Sequence, residues 1–203
     1  MDALLIVDVQ NDFLPGGSLP VPEGDKIIPV INALQPRFKH NIATKDWHPA
    51  NHGSFASNHP GHQVGEVITL NGLEQILWPD HCVKGSPGAE FSPLLNQGLI
   101  QKVIFKGSDP AVDSYSAFFD NGRRIQTELH NYLRIKGIKR LYVTGLAADV
   151  CVYFTVKDAL ELGYETFLIT DATKGVNLQP DDTEKAFEDM KNRGAKLIRS
   201  EEI

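Results

Sequence analysis

Asp46, His48 and His52 fall within seven positions of the stretch TKDWHPANHGSF (44–55), and another histidine, His81, stands beside Cys82 in WPDHCVKGSPGAEF (78–91). Carboxylate and imidazole together suit zinc, iron or manganese. Asp46 and His48 are two apart, so on an extended segment they point to the same side. His52 comes four residues later, beyond Pro49. Asp8, Lys106 and Cys151 offer a different chemistry. A carboxylate can take a thiol's proton and return it, an ammonium can hold that carboxylate ionised, and a thiol at a helix N-terminus is a nucleophile whose anion the helix dipole favours. Each residue alone has a plain structural explanation. An aspartate at a strand end often forms a turn, a lysine is usually solvated, and a lone cysteine often fills a core. Some of the seven histidines would cluster in any arrangement; His59 and His62, in NHPGH, read as loop surface. Cys82 reads as structural, because its thiolate would more naturally join a closed metal site.

The elements around these residues decide whether they can meet. ALLIVDV (3–9) is a short apolar run and reads as a buried strand. Helical spacing follows over 24–38, with Pro29 tolerable near the start. Further strands are expected at 41–46, 102–107, 139–145, 165–172 and 195–199. Helices are expected at 123–137, with Ile125, Leu129, Tyr132 and Leu133 on one face, and at 149–163 and 182–194. This alternation predicts an α/β fold, a three-layer α/β/α arrangement with a mainly parallel six-stranded sheet. Residues 47–80 break the rhythm; they are rich in His, Pro, Gly and Asn and show no long periodic element. A single domain over 1–203 is expected, with a metal- and substrate-binding insertion at about 47–80. Asp8, Asp46 and Lys106 all fall near the carboxyl ends of successive strands, and Cys151 follows the fourth at a helix start. Open parallel sheets bind ligands at that edge, where the winding reverses. An order of 3-2-1-4-5-6, counting strands along the chain, would put the reversal between strands one and four and bring Asp8 to Cys151.

Composition narrows the function. A net charge of −6 argues against nucleic acid or an anionic membrane as partner. Two cysteines suit a reducing compartment. The start MDALLIVDVQNDF lacks the basic residues and long apolar region of a secretory leader, and no run approaches the roughly 20 apolar residues of a membrane span. A cytoplasmic protein is expected, and whether it forms a homo-oligomer is left open.

The stretches LLIVDVQNDFLPGGSL, TKDWHPANHGSF, WPDHCVKGSPGAEF, FKGSD and VTGLAADVCV occur in this order between about residues 3 and 175. They resemble the successive signatures of the bacterial nicotinamidases (pyrazinamidases) among the isochorismatase-like cysteine hydrolases. The Asp/Lys/Cys set alone would indicate only that superfamily; DWH and WPDHC point to the nicotinamidase branch. The resemblance implies an isochorismatase-like fold with Cys151 as nucleophile, Asp8 as general base and acid, and Lys106 completing the triad. It implies Asp46, His48 and His81 as ligands of one divalent metal ion, zinc first, with iron or manganese as alternatives. Members differ near His52, which stands as a residue behind the ligands or an occasional ligand. Phe13 and Trp78 match the aromatic residues that enclose the pyridine ring, and Tyr115 adds to the pocket wall. A cis peptide would join Leu146 to Ala147 and aim the Ala147 amide, with that of Cys151, at the developing oxyanion.

The function this implies is hydrolysis of nicotinamide to nicotinate and ammonia in NAD salvage, with the metal orienting the pyridine ring rather than attacking the amide. Three rivals remain open: a related hydrolase acting on another amide or a vinyl ether such as isochorismate, a hydrolase in which the metal supplies the nucleophile, and a non-catalytic metal or redox module built on Cys82 and Cys151.

Overall fold

The computed structural model describes residues 1–203. Its strands are β1 (Asp2–Val7), β2 (Asn41–Asp46), β3 (Val67–Leu70), β4 (Leu73–Ile76), β5 (Lys102–Lys106), β6 (Arg140–Leu146), β7 (Glu165–Lys174) and β8 (Lys196–Ile198). The helices are α1 (Ile28–Leu34), α2 (Leu129–Ile135), α3 (Cys151–Glu161) and α4 (Asp182–Asn192). Leu4, Leu5, Ile6 and Val7 are all fully buried, because β1 lies mid-sheet and is covered on both faces. Alternation sends Ala3, Leu5 and Val7 into one core and Leu4 and Ile6 into the other. The first core is closed by α2, α3 and α4 through Leu129, Leu133, Val152, Val156 and Met190. The second is closed by α1 and by irregular chain carrying Phe13, Val21, Cys82 and Phe91.

The six-stranded sheet has the order β5-β2-β1-β6-β7-β8, with every neighbouring pair parallel. Counted among the sheet strands this is the expected 3-2-1-4-5-6. The chain winds outward from β1 through β2 to β5, then returns to β6 and winds the other way, so the reversal lies between β1 and β6.

At two places the helices are shorter than the apolar spacing predicts. The expected helix 24–38 contains only α1, flanked by single tight turns at Gly24–Ile27 and Gln35–Arg37. Pro36 lacks the N–H that would continue the ladder. The expected helix 123–137 starts only at Leu129. Asp120 Oδ1 accepts from the Arg124 amide at 3.0 Å and Oδ2 from the Ile125 amide at 2.6 Å, folding this segment into a turn with Arg123 at φ +53°. Ile125, placed by periodicity on the buried face, is 57% exposed. The 47–80 segment also holds more order than expected. It contains the antiparallel pair β3–β4, turning at Asn71–Gly72 with both residues at positive φ, the hairpin geometry that Asn-Gly favours.

Candidate active site

The strand ends deliver the first group of residues. β1 stops at Val7 because Asp8 turns to φ +49°, lifting its carboxylate off the sheet edge. Thr44, one strand over, holds it: the hydroxyl donates to Asp8 Oδ1 at 2.5 Å and accepts from the Asp8 amide at 3.1 Å. Lys106 ends β5, in register with Asp46 at the end of β2. Its ammonium is fully buried and lies 2.8 Å from Asp8 Oδ2, against Asp46 Oδ1, 3.0 Å from the Ser114 carbonyl and 3.4 Å from Cys151 Sγ. Acceptor atoms of Asp8 and Asp46 and the Cys151 sulfur all lie within 4.8 Å of one another. The sequence assigned Asp46 to the metal alone; the register makes it also a counter-ion of Lys106.

Burial and charge compete here. Burial pushes the Asp8 carboxyl up to about 6; Lys106 pulls it down and Asp46 pushes it up again. Burial also opposes ionisation of Asp46, yet Lys106 and His48 together hold it well below the ordinary carboxylate range. Lys106 stays charged despite burial because two carboxylates face it. Burial pushes the Cys151 thiol well up, only partly offset by Lys106, with Asp8, Asp46 and Asp113 adding to the rise. The helix start alone therefore does not make a resting thiolate; the thiol must hand its proton to a neighbour.

The histidines form the second group. His48 Nδ1 bonds the Gly107 carbonyl at 2.8 Å, and His81 Nδ1 bonds the Pro79 carbonyl at 2.7 Å. Their Nε2 atoms lie 3.6 and 3.9 Å from Asp46 Oδ2. His52 packs its ring 4.3 Å from that of His48, and Phe55 closes the cluster from behind. His48 Nε2 is buried with no partner in the protein. Such an atom, beside a carboxylate and a second imidazole, is what a divalent ion requires. Burial and His48 lower His81 and bring His52 down to about 4, so both rings are neutral. For His48 burial acts the same way, but Asp46 overcomes it and raises the proton affinity; a cation bound there would take the proton's place. Asp46, His48 and His81 thus fit one divalent metal.

Both groups open into one pocket. Phe13, Leu19, Val21, Trp78, Tyr115 and Val176 supply apolar wall, while Asp46, His81, Asp113, Ala147 and Cys151 also line it. The Tyr115 hydroxyl accepts from Trp78 Nε1 and from Gln75 Nε2, each at 3.2 Å, fixing the two aromatic walls to each other. The Leu146–Ala147 peptide is cis, and the amides of Ala147 and Cys151 donate to no acceptor within the chain. Cys82 is fully buried; its amide donates to Asp12 and its carbonyl accepts from His48, so it braces the loop.

A family model described as the isochorismatase domain matches residues 2–202. The chain belongs to the isochorismatase family. Within that family it is 55% identical to a curated nicotinamidase of Escherichia coli over 199 residues, covering 96% of this chain and 93% of the relative. A solved nicotinamidase/pyrazinamidase of Acinetobacter superposes with a TM-score of 0.96 at 46% identity, covering 99% and 97% of the two chains. A pyrazinamidase of Pyrococcus horikoshii in complex with zinc superposes at 0.80 with 42% identity and 98% coverage of both.

Some site residues of this isochorismatase-family chain escaped the sequence reading. Thr44 was hidden inside a strand; it comes one residue after the paired Ile6 and Ala43, where its hydroxyl reaches Asp8 at the end of β1. Gln10, whose amide donates to the Asp46 and Ala89 carbonyls and whose oxygen accepts from the Asp46 amide, fixes the end of β2. Asp113 and Gln75 come from irregular chain and a short hairpin with no periodic signal. His59 and His62, expected at the surface, bond the Gly53 carbonyl and Glu66 away from the pocket.

Proposed function

We propose that this isochorismatase-family protein hydrolyses nicotinamide to nicotinate and ammonia, in the cytoplasm and as a step of NAD salvage, with the whole chain acting as one hydrolase domain. One observation carries the reading: a single aromatic-walled pocket is lined both by the Cys151 thiol and by the Asp46/His81 side of a metal-binding set. The triad alone would serve other amides or a vinyl ether, but those substrates leave the histidines idle. A metal-supplied nucleophile or a redox module leaves Asp8 and Lys106 idle. The high identity to an E. coli nicotinamidase supports the same choice.

In this reading Asp46, His48 and His81 hold one divalent ion, with zinc favoured by the zinc complex of the P. horikoshii relative. When bound, it supplies an open coordination position for the pyridine nitrogen, which converts affinity into orientation of the carboxamide. Phe13, Trp78 and Tyr115 flank the ring and exclude water. Asp8, ionised above about pH 6, accepts the Cys151 proton as sulfur bonds to the amide carbon. Lys106, 3.4 Å from the sulfur, offsets the charge on the forming thiolate. The unpaired amides of Ala147 and Cys151 donate to the developing oxyanion. Asp8 then gives its proton to the departing ammonia, takes one from water as that water attacks the thioester, and returns it to the thiol.

Ammonia release from nicotinamide tests the reading. Wild type should release it, and Cys151→Ala should lose all measurable turnover while keeping its fold and metal content. Retention of more than a few per cent of wild-type activity by a clean Cys151→Ala preparation would remove Cys151 as nucleophile.

A further inference from the structure

His52 and Asp113 border the metal-binding residues, and neither has a part in the reaction described above. Ring nitrogens of His48 and His52 and a carboxylate oxygen of Asp113 all lie within 4.8 Å of one another, and all three residues are buried. The three imidazoles of the cluster look interchangeable, but their hydrogen bonds sort them. His48 and His81 each meet a backbone carbonyl through Nδ1. A carbonyl only accepts, so each ring carries its proton on Nδ1 and keeps a lone pair on Nε2 for a cation. His52 is reversed. The Ser54 amide donates to its Nδ1 at 3.1 Å, and an amide N–H can only donate. The lone pair of the neutral ring is therefore on Nδ1, which the Ser54 hydroxyl also meets at 2.7 Å. The ring proton is on Nε2. That atom is fully buried and finds no acceptor in the protein.

A nitrogen carrying a proton cannot ligate a metal; it needs an acceptor. Asp113 has the complementary surplus. Its Oδ1 accepts from the Ser114 amide at 2.7 Å and its Oδ2 from Gln75 Nε2 at 3.2 Å, which leaves each oxygen further acceptor capacity. We propose that His52 is not a metal ligand but half of an outer pair with Asp113, which holds the water ligands of the ion: His52 Nε2–H donates to them and Asp113 accepts from them. The proposal rests on the reading in which Asp46, His48 and His81 bind the ion, and it assigns the ion two imidazoles rather than three. Partners of this kind hold a metal site in shape without touching the metal, and their loss typically weakens binding by about 10–100-fold.

X-ray absorption of the zinc-loaded full-length protein counts imidazoles directly, and chelator competition gives zinc affinity without reference to activity. The wild type should show two imidazoles per zinc. His52→Phe and Asp113→Asn should each keep two while binding zinc about 10–100-fold more weakly. His52→Gln, which restores an N–H donor, should recover part of the loss. Three imidazoles in the wild type, or wild-type zinc affinity in both His52→Phe and Asp113→Asn, would overturn the pair while leaving the nicotinamidase reading intact. A wild type that binds no divalent ion would overturn the metal-orienting reading itself, and the pair with it. The wild-type count needs no variant, so misfolding of a variant cannot shield the proposal.

Discussion

Gly107→Ala should damage the metal site through a single methyl group. Gly107 follows β5 at φ +69°, and its carbonyl holds His48 Nδ1. A Cβ at this position would sit 2.7 Å from Nδ1 and closer still to Cε1, where ordinary contacts begin near 3.4 Å. The ring cannot simply retreat, because His52, Phe55 and His81 pack around it at centroid distances of 4.3, 5.5 and 4.9 Å. It must rotate and lose its carbonyl partner. The left-handed backbone alone costs a non-glycine residue about 1–2 kcal/mol. For a chain of this size that lowers the thermal midpoint by roughly 2–8 °C. Loss of the orienting bond should weaken metal binding by about 10–100-fold, equivalent to about 1.4–2.8 kcal/mol. Thermal melts of metal-free and metal-loaded protein separate the two effects: the midpoint should fall further in the loaded form, because bound metal stabilises only the folded chain. Chelator competition should show the weaker affinity, and the Michaelis constant for nicotinamide should rise. A variant that melts lower yet keeps wild-type metal affinity would refute the claim that Gly107 seats a ligand.

Two other perturbations probe the pocket. Because burial raises Asp8 to about 6, and only its ionised form can take the thiol proton, kcat/KM should drop about tenfold per pH unit below that value and level off above it. The same raised value makes Asp8 favour the folded state at low pH, where it is protonated, and lose that contribution as pH rises through about 6. A rate that does not change between about pH 5 and about pH 7 would contradict the assignment of Asp8 as base. Tyr115→Phe removes the acceptor shared by Trp78 and Gln75; Gln75 keeps the Ile76 carbonyl and Asp113 as acceptors, but leaving the Trp78 N–H unpaired costs about 1–3 kcal/mol. The Michaelis constant for nicotinamide should rise about tenfold, with the rate of Cys151 alkylation unchanged; slowed alkylation would mean that Tyr115 also supports the nucleophile.

Much of this site is legible because strand ends are legible. Short apolar runs with flanking polar residues place Asp8, Asp46 and Lys106 at the sheet's carboxyl edge, and the topology then brings Cys151 to them. What stayed hidden depends on partners distant in sequence. Lys106 meets Asp46 as well as Asp8 because β2 and β5 pair with those two residues in register, which no single strand reveals. Ile125 has the right spacing for a helix face, but Asp120 captures the backbone amides that such a helix would need. The Asn71–Gly72 turn carried a readable hairpin signal, obscured by the weak apolar pattern of its strands, where Val67 and Glu74 face solvent. His52 shares its residue type with the two histidines proposed to hold the metal, and the direction of the Ser54 amide sets it apart.

The central claim is that the metal orients a ring nitrogen while Cys151 performs the attack. Turnover of nicotinamide and of benzamide, which has the same carboxamide and no ring nitrogen, tests it on wild type and His48→Ala. Benzamide should be the poorer substrate of the wild type, and His48→Ala should reduce nicotinamide hydrolysis far more than benzamide hydrolysis, so that the preference between the two narrows. A parallel collapse of both substrates in a correctly folded His48→Ala protein would contradict the claim.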